Sequence, residues 1–134
     1  MVKITIEYTG QLHCVAAHGP SGRTLETDAP VDNQGRGESF SPTDLVATAL
    51  GSCMATVMGI YARDKGIDLT GTRIEVAKEM TATPPRKIAR LATEIWMPIS
   101  LARNPALENA ALTCPVYLSL HPDMEKQVVF HWQA

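Results

Sequence analysis

From Leu45 to Tyr61, 17 residues pass without a charge in the middle of this 134-residue chain. That length lies at the lower limit for crossing a bilayer. Thr48, Gly51, Ser52, Thr56 and Gly59 break up the apolar run, and no second such segment follows. A helix buried inside a protein is therefore expected. Just ahead of it, Ser41-Pro42-Thr43-Asp44 is a helix start: Ser41 can cap, Pro42 suits the first helical position, and Asp44 completes a capping box. Gly66 supplies a C-terminal stop, so the helix is predicted over residues 41–65. It is apolar nearly all round, and Ala47, Ala49, Gly51, Ser52, Ala55 and Gly59 are small. Such a helix belongs in the middle of a fold, where another element can approach closely.

The flanking sequence changes period. Val2, Ile4, Ile6 and Tyr8 alternate with Lys3, Thr5, Glu7 and Thr9, which predicts a half-buried strand. Thr9-Gly10 is read as a turn, and Leu12, Cys14 and Ala16 as one face of a second strand, giving a hairpin. A weaker third strand is expected over 23–27, then a loop over 28–40. Beyond the helix, strands are predicted over 73–80 and 88–97, with Thr83-Pro84-Pro85 turning the chain. Asn104-Pro105 opens a short helix that Pro115 interrupts, and a last strand runs over 127–132. This order lacks a regular β–α–β alternation, so the expected class is α+β with antiparallel sheet, a single domain over residues 1–134.

Twelve Lys and Arg against fourteen Asp and Glu give a net charge of −2. Without a basic stripe, a nucleic-acid partner is not expected. The N-terminal sequence has no apolar signal core, which points to a cytoplasmic protein that is not a membrane protein. Three cysteines without CxxC pairs do not make a secreted disulfide framework.

Free thiols then become the candidates for chemistry. Cys53 falls on the apolar stripe of the central helix, as either a small buried hydrophobe or a working thiol. Cys114 precedes Pro115, which pushes it out of helical geometry to the cap of a second short helix. Amides at a helix start favour a thiolate and would lower its pKa. A reactive thiolate that meets a peroxide becomes a sulfenic acid, which a nearby thiol resolves to a disulfide. Cys14 is expected in the core. None of His13, His18, His121 and His131 forms a metal-ligand pair, so no metal site is expected. His131 is read as structural; His121, seven residues after Cys114, leaves open a cysteine–histidine hydrolase. Arg36 and Glu38 precede the central helix, and an arginine there can support a thiolate.

The segment Ser41-Pro-Thr-Asp-Leu-Val-Ala-Thr-Ala-Leu-Gly-Ser-Cys53 resembles the central-helix signature of the osmotically inducible protein C and organic hydroperoxide resistance (OsmC/Ohr) family. Cys114-Pro-Val-Tyr-Leu-Ser-Leu resembles the same family's second cysteine motif. The resemblance implies an intertwined homodimer with β-sheets wrapped around two central helices. It implies reduction of hydrophobic organic hydroperoxides, with Cys53 as the attacking thiolate and Cys114 as the resolving thiol. An external dithiol would restore both, with no metal or organic cofactor. It further implies an arginine holding the thiolate, Arg36 or else Arg23. In the family's best-studied branches a glutamate ten residues before the first cysteine holds that arginine. Here Thr43 occupies that position, and Asp44 is displaced from it by about 100° around the helix. This departure motivates an alternative: a stress-associated small-molecule-binding dimer of the same fold with little or no peroxidase activity.

Overall fold

The predicted central helix is α1 (Pro42–Asp64) in the computed structural model, which describes residues 1–133. Its capping box forms in both directions: Ser41 N–H donates to Asp44 Oδ2 (2.9 Å), and Asp44 N–H donates to Ser41 Oγ (3.1 Å). At the other end Gly66 takes φ +69°, and the Ile67 amide reaches back to the Ala62 carbonyl at 2.8 Å. Glycine tolerates that left-handed turn where a Cβ would clash. By length and composition α1 could cross a membrane, with a mean hydropathy of 1.6 in its most apolar window. Yet one stripe of it, Ala47, Leu50, Gly51, Met54, Met58 and Ala62, is buried within the chain.

Two compact units are distinguished, residues 1–46 and the chain from 47 onward. The first carries a three-stranded antiparallel sheet, β1 (Ile4–Gly10), β2 (His13–His18) and β3 (Thr24–Asp28), in the order β1-β2-β3. The hairpin turns at Gln11 and Leu12 (φ 57° and 61°), two residues later than the Thr9-Gly10 turn predicted. A register shift beyond Tyr8 keeps Gly10 in the strand; bulges of this kind are invisible to a strict period of two. Pairing places Ile4, Ile6 and Tyr8 on one face with Cys14, Ala16 and Leu25. That face is not half-buried as expected: Ile4, Ile6 and Tyr8 are 50, 60 and 63% exposed. Cys14 is likewise half-buried, not a core residue.

The second unit holds a mixed sheet of β4 (Arg73–Met80), β5 (Ile88–Trp96) and β6 (Val128–His131). β4 and β5 are antiparallel, joined through the Pro84-Pro85 turn, whereas β5 and β6 are parallel. The expected antiparallel pairing holds for β1–β2, β2–β3 and β4–β5, and the β5–β6 pair departs from it. A parallel pair needs a crossover of a dozen or more residues, and residues 97–127 supply it with α2 (Pro105–Leu112) and α3 (Pro115–Ser119). The fold remains α+β, with two three-stranded sheets, three α-helices and one 3-10 turn (Val31–Asn33) among the described residues.

The core of this unit follows two periods. Alternate residues Leu91, Thr93, Ile95 and Met97 are buried along β5 and just past it, while α1 contributes the stripe already named. Fully burying each large side chain is worth about 1.5–3 kcal/mol. α1 approaches β4 closely at Gly51, where a Cβ would lie 3.2 Å from Val76 Cγ2 and 3.3 Å from Ile74 Cγ2. The small residue therefore sets the helix–strand distance near Cys53.

Candidate active site

Cys53 rides on α1 beside the buried Met54 and is itself half-buried, at the margin of the packed stripe. Its position along the helix follows from the cap at Ser41 and the close approach at Gly51, two residues before it.

Cys114 is fixed differently. Asn104 Oδ1 accepts the Ala106 amide at 3.0 Å and starts α2, with Pro105 in the first turn. Leu107 and Ala111 face inward and are fully buried. Glu108 anchors the helix sideways: it accepts Trp132 Nε1–H at 2.7 Å and both Nε and Nη2 of Arg103 at 3.3 and 3.1 Å. The Arg103 guanidinium holds the Glu108 carboxyl below its usual range. α2 ends before Cys114, which is extended (φ −66°, ψ 149°), and Pro115 begins α3. Cys114 is thus the N-cap that the sequence predicts, and its Sγ accepts the Tyr117 amide at 3.4 Å.

Cys53 lies near enough to Cys114 to act on its thiol, and both cysteines are free. Helices 61 positions apart in sequence have brought them together. Their surroundings are unequal, because Cys114 is 0% exposed. Burial pushes the Cys114 thiol up from its ordinary range, and the neighbouring Cys53 adds to the rise. The Tyr117 and Val116 amides pull it down but do not win. The expectation of a lowered Cys114 pKa is therefore corrected: loss of water outweighs one turn of helix amides.

The charged candidates fall elsewhere. Asp44 is the reciprocal cap of α1, and Thr43 Oγ1 lies 3.2 Å from Ser41 Oγ. Arg23 is exposed beside the turn between β2 and β3. Arg36 is exposed in the segment after β3, near enough to Asp28 that its charge helps lower that carboxyl. His121 is 68% exposed and its Nδ1 accepts the Asp123 amide at 3.0 Å. A base for the fully buried Cys114 is not found in that ring, so the hydrolase option loses its geometric basis. His131 is structural, stacked on Trp96 at 5.0 Å with Nε2 3.1 Å from Glu94. Among the described residues no group of three His, Cys, Asp or Glu could hold a metal ion.

One cluster escapes the sequence. His13 lies between two carboxylates, with Nδ1 2.6 Å from Asp28 Oδ1 and Nε2 3.1 Å from Glu26 Oε1. Only the β2–β3 register brings these residues to one face, and no spacing motif announces it.

A family model for OsmC-like protein matches residues 35–128. A solved structure from Psychrobacter arcticus 273-4, provisionally assigned as an osmotic stress induced and detoxification response protein, is 45% identical. It superposes with a TM-score of 0.90 over 98% of this chain and 96% of that one. An organic hydroperoxide resistance protein OsmC from Legionella pneumophila matches with a TM-score of 0.71 at 15% identity, over 97% and 96% of the two chains. The organic hydroperoxide resistance protein OhrB of Bacillus subtilis gives 0.71 at 17% identity over 98% of each. At those identities the last two show the shared fold. No curated protein sequence matches the chain.

Proposed function

The chain belongs to the OsmC-like protein family, and from that membership we propose that it is a thiol-dependent peroxidase reducing organic hydroperoxides. A stress-related role is common ground among the relatives' descriptions; the peroxidase chemistry is our own step. The observation that carries it is the pair Cys53 and Cys114, near enough for one thiol to act on the other yet unequally accessible. A peroxide must reach the sulfur it oxidises, so access favours the half-buried Cys53 as the attacking thiolate. Its sulfur takes the distal peroxide oxygen, the O–O bond breaks, and the alcohol leaves with a proton. The resulting Cys53 sulfenic acid is attacked by the Cys114 thiolate, which forms the disulfide and releases water. An external dithiol returns two electrons and two protons, regenerating both thiols. The cycle uses no metal or organic cofactor.

Three further elements belong to the same proposal. Arg36, or failing that Arg23, supports the Cys53 thiolate, as the family resemblance implies. The protein works as a homodimer in the cytoplasm. Support for the dimer comes from apolar surface that a single chain leaves open: Ile4, Ile6, Tyr8 and Leu25 on the first sheet, and the Ala49, Ser52, Ala55 and Ile60 side of α1. Bulky apolar hydroperoxides fit such a setting better than hydrogen peroxide.

A second reading keeps the fold without efficient turnover, as a small-molecule-binding dimer. It is favoured by position 43, where a threonine beside Ser41 Oγ stands in place of a carboxylate, while Asp44 is taken up in the helix cap. The deciding experiment is consumption of an organic hydroperoxide with a dithiol present, for the wild type, Cys53→Ser and Cys114→Ser. Peroxidase chemistry requires turnover lost in Cys53→Ser, while Cys114→Ser, with the dithiol left out, still consumes about one equivalent without forming the Cys53–Cys114 disulfide. No consumption by the wild type, with its thiols intact by titration, moves the assignment to the binding protein.

A further inference from the structure

The segment between β3 and α1 returns on itself, and its return limb is hooked onto the end of β3. Gly35 and Gly37 amides donate to the Pro30 and Ala29 carbonyls (2.9 and 3.2 Å), and the Asp28 amide donates to the Phe40 carbonyl (3.1 Å). Gly35 is obligatory in this arrangement, since a Cβ there would lie 1.7 Å from the Ala29 carbonyl oxygen. The hook between them is a side chain: Asp28 Oδ2 accepts the Glu38 amide at 3.1 Å. Asp28 is only 3% exposed, a carboxylate withdrawn from water that must be stabilised by protein groups.

Its principal partner is His13. The Asp28 and Glu26 carboxylates are acceptors only, and each faces a different nitrogen of the same ring. Both contacts are hydrogen bonds only when both nitrogens carry protons, that is, when the ring is an imidazolium. A neutral ring would turn a lone pair toward one carboxylate. The charged groups acting on the ring come from β3, Glu26 and Asp28; β1 presents Gly10 and, through Thr9 Oγ1, a bond to the His13 carbonyl only. Arg36, on the returning limb, acts on Asp28 from the other side.

We propose that His13, doubly protonated between Glu26 and Asp28, is a positioning residue that pins the 29–40 segment through the buried Asp28 carboxylate. The segment carries Arg36, so the pin governs where that guanidinium is held. Its catalytic consequence rests on the proposed role of Arg36 in peroxide reduction; the pin itself does not.

The sign of the pH dependence follows from the geometry and agrees with the charge environment. Hydrogen bonding to Asp28, and then to Glu26, raises the His13 pKa above 6.5, so its contribution is complete below that pH and is lost as pH rises through the raised value. The bond from His13 lowers the Asp28 pKa below 3.8, so its contribution is present above 3.8 and lost as pH falls through the lowered value. The segment is held most firmly between those limits.

The test reads the segment directly. Amide hydrogen exchange at Gly37 and Glu38, corrected for intrinsic rates, is followed from pH 5 to 9 in the intact wild type, alongside NMR titration of the His13 ring nitrogens. Protection should fall about tenfold as His13 deprotonates, with the midpoint above 6.5 and coincident in both measurements. In His13→Gln, which keeps one amide donor without the charge, protection should be low and flat across the range. Equal protection in His13→Gln and wild type, or a wild-type profile with no step at the His13 midpoint, overturns the pin. The wild-type titration needs no substitution, so a variant that fails to fold leaves the test standing. Oxidation of Cys53 by hydroperoxide, measured in the same proteins, separates the two layers. A loosened segment with unchanged oxidation upholds the pin and removes Arg36 from the catalytic reading.

Discussion

The elevated Cys114 thiol has a kinetic consequence. Resolution of a sulfenic acid needs the Cys114 thiolate, and a thiol at its ordinary value of 9.0 is only about 1% ionised at pH 7. Burial pushes Cys114 higher still, so the reactive fraction at neutral pH is smaller. The increase does not vanish when Cys53 is oxidised: burial is its largest cause, and the neighbouring thiol is secondary. The rate of disulfide formation should therefore rise about tenfold per pH unit from pH 6 to 8 without levelling off. Rapid mixing with one equivalent of hydroperoxide, acid quenching, and mass measurement of sulfenic acid against disulfide gives that rate separately from Cys53 oxidation. A plateau below pH 8 would mean that Cys114 is already ionised, and the argument that desolvation outweighs the Tyr117 and Val116 amides would fail.

Two changes probe the packing beneath the site. Gly51→Val places methyl groups where a bare Cβ already approaches Val76 and Ile74 to 3.2 and 3.3 Å, and should cost about 1–3 kcal/mol in urea denaturation; Val76→Ala in the same chain should restore at least half, and an unchanged midpoint for Gly51→Val would refute the contact. Cys114→Ser should alter stability by no more than about 1 kcal/mol, because a hydroxyl accepts the Tyr117 amide better than sulfur does while its own burial costs a comparable amount; a larger loss by the same measurement would show that the sulfur is needed for packing.

Legibility in the sequence divides by the range of the interaction. α1 announces itself because its cap, its proline and its terminal glycine are local chemistry, and Ser41, Asp44 and Gly66 do what their types dictate. The break at Cys114-Pro115 is equally local, since proline restricts its predecessor whatever the fold. The parallel β5–β6 pair was not legible: Thr93 meets Val128 across a crossover whose direction no residue encodes. The Cys114 pKa fails for a related reason. The amides that lower it are two and three residues away and can be read from the chain, but the burial that raises it exists only in three dimensions. His13, Glu26 and Asp28 are brought to one face by strand register alone. The neighbouring β1–β2 hairpin carries a bulge beyond Tyr8 that a pattern of alternation likewise cannot contain.

The choice of cysteine at position 114 bears on which function the fold serves. A helix N-cap is best filled by an oxygen acceptor, as Ser41 illustrates at 3.1 Å on α1. At α3 the same task falls to a sulfur, a weak acceptor, with the amide at 3.4 Å. Capping alone gives no reason to prefer it, because serine is of similar size and caps better, and the burial cost of its hydroxyl only offsets that gain. Nor would a binding protein gain from it, since the side chain is 0% exposed and offers no surface to a ligand entering from solvent. In the proposed cycle the sulfur offers a partner for Cys53, close enough to feel it and more sheltered from oxidant than that more accessible thiol. Shelter and slow ionisation work together, for a resolving thiol kept protonated does not compete for peroxide, yet it is already in place when the sulfenic acid forms. In the proposed peroxidase, the missing carboxylate at position 43 weakens the electrostatic half of the site, and the sulfur at position 114 supplies the other half.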